Sequence, residues 1–317
     1  MLLVSDLDRA VAYYRDRLGF QCDVFGDPPD FATAEREIRS LPNPDAHGIA
    51  ALAESQLGQG LLREAAETYQ KLGTMDVWGA SFAPSGLGDL ALYEGRFSEA
   101  VRIFEQGAAA DLLAKNADNA AMKFAAVAYG HIMRGQMGPA IAAADKALMN
   151  SKATPIRFLT ARVFVEAGAV AKAASLAGAL ASELAAEPQA YGKIVEGEIA
   201  LKKGDPRQAI KILTDATGVL DTWLGHFDLG RAYLELGSFL KADSEFDICI
   251  KHRGEALSLL DEDPTYGYFP PVHYYQGLAR EGMKTEGFAN SYGEYLKIRG
   301  KSTDDPLLPE VRRRAGR

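Results

Sequence analysis

The chain has 317 residues, 47% apolar and 25% charged, an ordinary globular composition whose length fits about two domains. Its net charge of −8 and pI near 5.3 argue against a general nucleic-acid binder, which needs a basic face to displace counterions from phosphates. No apolar run reaches the ~18 residues of a membrane span, and Asp6, Asp8 and Arg9 interrupt the start where a secretory leader would be apolar, so a cytoplasmic setting is expected.

In chain order, residues 1–4 read as a short strand. Ser5 or Asp6 can cap a helix in which Val11, Tyr14 and Leu18 share one stripe, and Gly19 ends it. Phe20, Cys22 and Val24 alternate as a half-buried strand would, "GDPPD" is turn chemistry, and "FATAERE" can return as a second strand. Residues 1–37 are thus expected to form a βαββ arm, followed at 38–45 by a linker holding Pro42 and Pro44.

Through "VSDLDRAVAYYRDRLGF" and "GDPPDFATAER" this arm resembles the first half-module of the vicinal oxygen chelate superfamily, which holds glyoxalase and bleomycin-resistance-like proteins. The resemblance implies a βαβββ module used twice, with metal ligands on the first and fourth strands. The chain offers only Met1, Leu2, Leu3 and Val4 on the first and lacks the fourth, while Glu35 and Glu37 read as solvent-facing, so no metal is expected. The open edge of such a fragment would pair with a second copy, giving a homodimer. The alternative function follows from that pairing: glyoxalase- or bleomycin-resistance-like small-molecule binding or lyase activity assembled from two arms.

From residue 45 onward the chain repeats itself. "AESQLGQGLLREAAETY", "GDLALYEGRFSEAVRIF", "AYGHIMRGQMGPAIAAA", "ARVFVEAGAVAKAASLA", "GEIALKKGDPRQAIKIL" and "GRAYLELGSFLKADSEF" each carry a small residue, a glycine seven later and an alanine five after that. The alanines, Ala65, Ala100, Ala140, Ala173, Ala209 and Ala242, are spaced 35, 40, 33, 36 and 33 residues apart. A seventh unit with an irregular turn begins at Gly277, after "DEDPTYGYFPP", which is too rich in proline to be helix. Small residues let two antiparallel helices cross closely, and the glycine supplies a turn that other residues resist. The pattern resembles the tetratricopeptide (TPR) family, whose unit is ~34 residues of helix–turn–helix. The resemblance implies a mainly α protein, an α-solenoid of six to seven repeats over 46–301, with a basic, solvated tail at 302–317. The ending is also similar, more loosely, to the TPR portions of bacterial multidomain signalling proteins.

No catalytic constellation is legible. The chain has no nucleophile elbow, Walker loop or kinase motif set, and none of its five histidines pairs with another at i, i+4. Cys22 and Cys249 read as free core thiols. No enzyme activity or cofactor is expected. The TPR resemblance places the first helix of each repeat on a concave groove, which would hold Phe82, Asp89, Tyr93, Tyr129, Met133, Phe158, Arg162, Glu166, Tyr191, Glu198, Lys202, Phe227, Arg231, Glu235 and Tyr274. Aromatics, Met and Arg are the types that anchor interfaces. The expected function is a non-enzymatic scaffold that takes a partner peptide or helix along this groove. A lysine/asparagine clamp for a chaperone tail is not expected, because the corresponding positions hold Glu54, Asp89, Tyr129 and Arg162.

Overall fold

A helix of about a dozen residues is marginal alone and gains its stability by burying one face against a neighbour. The repeats do this as hairpins. In a computed structural model, which describes residues 31–258 and 264–316, sixteen helices and two short 3₁₀ turns account for the regular structure, with no strand among the described residues. A single helix, α1 (Phe31–Ser40), leads into six hairpins: α2 (Ala46–Gly58) with α3 (Leu62–Leu72), α4 (Val77–Tyr93) with α5 (Phe97–Leu113), α6 (Ala117–Met133) with α7 (Met137–Asn150), α8 (Thr154–Glu166) with α9 (Val170–Ala181), α10 (Ala186–Lys202) with α11 (Pro206–Val219), and α12 (Trp223–Glu235) with α13 (Phe239–Lys251). A seventh hairpin, α14 (Pro271–Gly282) with α15 (Phe288–Arg299), is followed by α16 (Leu308–Ala315).

The repeat chemistry acts as the spacing predicts. Gly60, Gly95, Gly135, Gly168, Gly204 and Gly237 all turn their hairpins with φ between 70° and 79°, a region costly for residues with a Cβ. The six repeat alanines are fully buried where the helices cross. Sixteen residues separate each small anchor from its filler on the second helix, and their sizes compensate. Gly88 faces Phe104, Gly197 faces Leu213 and Gly230 faces Phe246, and a Cβ on any of these glycines would come within 2.6 Å of the facing ring or branch. The corresponding positions of two other hairpins hold Ala128 with Ala144 and Ala161 with Ala177, all buried. One continuous core runs from Leu57 to Ala279.

The first element corrects the expectation. Residues 31–37 are helical, not a strand. Phe31, Glu35 and Ile38 fall one turn apart and turn inward together. The Phe31 ring fills the space left by Gly58, where a Cβ would lie 2.6 Å from it. Glu35 is not solvent-facing: it accepts from Gln59 Nε2 at 2.7 Å and pairs with Arg39 at 2.7 Å. Burial raises its pKa, but the hydrogen bonds from Gln59 and Arg39 outweigh this and hold it below the usual value. The linker is shorter than 38–45, because α1 runs to Ser40 and Asp45 already caps α2. The expected strands and helix within 1–30, with Cys22 and the arm-mediated dimer they imply, lie outside the described residues.

The C-terminal end also departs from expectation. Residues 308–315 are not a solvated tail but a helix whose Val311 is fully buried against Tyr274, Tyr292 and Tyr295. Arg314 pairs with Glu281 at 2.6 Å and Glu310 at 2.8 Å. Before this helix the chain returns to the second hairpin. Arg299, 0% exposed, donates to the carbonyls of Tyr93 at 3.0 Å, Leu92 at 2.9 Å and Gly267 at 3.2 Å. The first two lie in the last turn of α4, where carbonyls lack helical partners and the dipole favours a cation. Ser302 Oγ donates to Gly95 O at 2.7 Å, and Asp304 accepts from the Ser98 amide. The array thereby closes on itself.

Candidate functional site

The first helices of the hairpins face inward, and the closure decides how much of their surface stays open. The segment around Tyr266–Tyr268 fills one stretch. Tyr266 stacks on Tyr93 at 5.0 Å and Tyr268 on Tyr129 at 4.0 Å between ring centroids. Between them the Gly267 amide donates to Asp89 Oδ1 at 2.8 Å. Only glycine fits there: a Cβ would come within 2.5 Å of Leu92 Cβ. The proline-rich loop expected merely to be irregular is therefore an occupant of the concave face.

Beside it lies a partly open hollow of about 340 Å³. Tyr129 and Met133 reach it from α6, Arg162 and Glu166 from α8, Glu198 from α10, Phe227 and Arg231 from α12, and Tyr275 from α14. Tyr268 and Leu307 close two sides. Spacings of four residues put Arg162 with Glu166, and Phe227 with Arg231, on one helix face each.

The charges in this wall form a connected set. Arg162 reaches Asp228 Oδ2 at 2.6 Å and Glu198 Oε1 at 3.1 Å. Arg231 reaches Asp228 Oδ1 at 3.0 Å and Glu166 Oε1 at 3.1 Å. Lys202 lies 3.7 Å from Glu166 Oε2 and donates to its backbone carbonyl at 3.1 Å. Burial works against the Arg162 charge, but the Asp228 and Glu198 carboxylates outweigh it and raise its pKa. Burial likewise pushes Glu166 up, and Arg231 overrides it and lowers the pKa. At Glu198 burial wins: its carboxyl is pushed up to about 8 despite the pull of Arg162. Charges buried this deeply persist only when paired.

The fifteen residues expected on the groove divide into three groups. Tyr129, Met133, Arg162, Glu166, Glu198, Phe227 and Arg231 line the hollow. Asp89 and Tyr93 hold the chain's own segment. The remainder lie elsewhere. Phe158 is fully buried and stacks on Tyr191 at 4.0 Å, Phe82 stacks on Trp78 at 4.7 Å, and Tyr274 belongs to the C-terminal tyrosine cluster. Lys202 sits at the edge through Glu166, and Glu235 is exposed. Tyr268, Pro306 and Leu307 escape sequence reasoning because they come from outside the hairpins; the one available signal is three aromatic residues in a non-helical stretch, which must find cover somewhere. Among the described residues no group of three or more His, Cys, Asp or Glu is placed to hold a metal ion, and no helix is long and apolar enough to cross a membrane.

No family model matches the chain, and no curated protein matches it. Solved structures with a similar trace include a human IFIT1 dimer with PPP-AAAA (TM-score 0.48, 17% identity, 90% of this chain and 70% of that one). A tetratricopeptide repeat protein from Parabacteroides merdae gives TM-score 0.47 at 10% identity over 90% of this chain and 100% of that one. A thermophilic TPR protein of Thermus thermophilus gives 0.44 at 19% over 62% and 97%. The helix-hairpin solenoid itself rests on this chain's own period, turn glycines and buried alanines.

Proposed function

We propose that the chain is a non-enzymatic protein–protein interaction scaffold that receives a short segment of a partner in the concave hollow. The observation that supports this is the hollow itself, about 340 Å³ with mostly apolar walls and one pole of fixed, paired charge. Apolar concavities with a few oriented polar groups are where proteins take ligands. The adjoining stretch of the face already binds a peptide segment, the chain's own, by ring stacking and one amide hydrogen bond. A helix of ~10–12 Å diameter needs an open channel, and Tyr266–Tyr268 closes it, so the partner presents a short segment rather than a long helix. In this reading Tyr129, Met133, Arg162, Glu166, Glu198, Phe227 and Arg231 touch the partner, while Phe82, Phe158, Tyr191 and Tyr274 hold the shape of the face.

Selection from a displayed library of random peptides tests this. The full chain should enrich sequences that a Met133→Trp variant, with the hollow filled, does not retain. Binders kept equally well by both proteins would contradict it.

A further inference from the structure

Each hairpin is joined within itself at its turn glycine and to the next hairpin at the other end, so the junctions share one edge of the array. That edge is apolar in a regular way. Each of its first five junctions holds a large aliphatic side chain in the open: Leu41 between α1 and α2, Val77 at the start of α4, Leu113 at the end of α5, Met149 in the last turn of α7 and Leu184 between α9 and α10. Four of them are 84–99% exposed, and Leu41 is 51% exposed. The glycine-turn edge has one comparable residue, Leu240. Single exposed apolar residues are ordinary, but a row of them along one edge marks a surface that something covers. The closure at Ser302 lands on the opposite edge, at Gly95, and leaves this one clear.

The charges on this edge indicate what covers it. Lys71, Lys115 and Lys152 are exposed and form no ion pair with the described residues. Lys115 lies two residues from Leu113 with φ 62°, a conformation that glycine adopts at less cost, so a cation is kept there against backbone strain. The carboxylates nearby are engaged. Asp45 and Asp76 accept the Gly48 and Gly79 amides at 2.8 and 2.7 Å, and Glu183 pairs with Arg157 at 2.5 Å. Asp118 and Glu187 sit in the first turns of α6 and α10, where the helix dipole favours them. The unengaged charge on this edge is therefore positive, although the chain carries −8 in all. Charges elsewhere on the molecule are screened beyond ~10 Å at ordinary salt.

A second copy docked edge to edge would set lysine against lysine. Aliphatic side chains standing among free lysines match a surface that is anionic at its face and apolar beneath. Such a surface is also soft enough to take side chains from separate hairpins without a matched shape. We propose that the junction edge from Leu41 to Leu184 docks on an anionic lipid membrane, with the aliphatic side chains entering the headgroup layer and Lys71, Lys115 and Lys152 on lipid phosphates. This is a second binding surface, independent of the hollow.

Sedimentation of the full chain with vesicles tests it. Vesicles of phosphatidylcholine mixed equally with phosphatidylserine should bind on the order of 100-fold tighter than phosphatidylcholine alone, about five-fold for each of the three lysines, and salt should reduce the difference. Lys115→Gln with Lys152→Gln should weaken binding to the mixed vesicles by about 25-fold. Leu113→Ser with Leu184→Ser, at exposed positions outside the core, should weaken it by at least ~10-fold with an unchanged melt. No binding to the mixed vesicles at low salt, or binding that the serine variant keeps in full, overturns the proposal. So does light scattering that shows a dimer of the full chain and a monomer of the serine variant, because a second copy then covers the edge. None of these results bears on the hollow, which the comparison with Met133→Trp tests separately.

Discussion

Replacing Arg299 with methionine should destabilise the closed array by roughly 3–5 kcal/mol, the cost of removing a buried charged donor from groups that cannot reach water. The guanidinium is fully buried and serves three carbonyls on two separate parts of the chain, Leu92 and Tyr93 on α4 and Gly267 in the inserted segment. It also lies 5.1 Å from the centre of the Phe97 ring. Methionine keeps roughly the volume but removes the donor from all three, leaving Leu92 O only the Gly95 amide at 3.1 Å. Arg299→Lys should rescue little, because a point-like ammonium cannot match what a planar fork reaches. Denaturant unfolding followed by hydrogen exchange should show the loss first in α14, α15 and the segment around Gly267. A loss below about 1 kcal/mol, in the range of exposed pairs, would mean that Arg299 does not hold the ring closed.

Lys123→Met should have a comparable effect in a different place. Lys123 Nζ meets Asp111 Oδ2 at 2.6 Å, with the two side chains 1% and 4% exposed. Asp111 Oδ1 accepts from Ser81 Oγ at 2.7 Å, and Asn119 donates to that hydroxyl at 2.9 Å. The lysine stem passes over Gly107, where a Cβ would lie 2.9 Å from its Cδ. The single substitution strands a buried carboxylate, at a cost of about 3–5 kcal/mol. Adding Asp111→Leu removes the stranded charge and should recover most of the loss, since buried pairs are often replaceable by apolar residues of like volume. Urea unfolding of both variants checks this. A double variant no more stable than the single one would show that the wider network, and not the pair, carries the stability.

The periodic part of this molecule is legible in its sequence and the non-periodic part is not, for physical reasons visible in single residues. Hairpins repeat the same local constraints, so the spacing from Gly88 to Gly95 to Ala100 to Phe104 states both the turn and the close crossing. The inward-facing positions of the first helices follow from the same period. "FATAERE" reads as a returning strand because it follows the turn chemistry of "GDPPD", and the residue that settles the helical period, Ile38, lies just beyond it. The arginines of α16 suggest a solvated tail, yet Leu308 and Val311, three apart, anchor it and Arg314 is paired. What fills the concave face is not legible at all. Gly267 meets Asp89 across 178 residues of sequence, and no local pattern encodes a contact of that range. The same holds for the hollow, whose lining is half legible and whose boundary, set by Tyr268 and Leu307, is not.

The central claim is that the chain closes its own concave face along one stretch and leaves a hollow beside it. Amide exchange at Gly267 tests it most directly, because that N–H is buried on the Asp89 carboxylate only if the segment is docked. The closed array predicts strong protection of the Gly267 amide, lost together with that of α15 in Arg299→Met. Exchange at the rate of an unprotected loop in the intact chain would contradict it, and would leave the concave face open along its length.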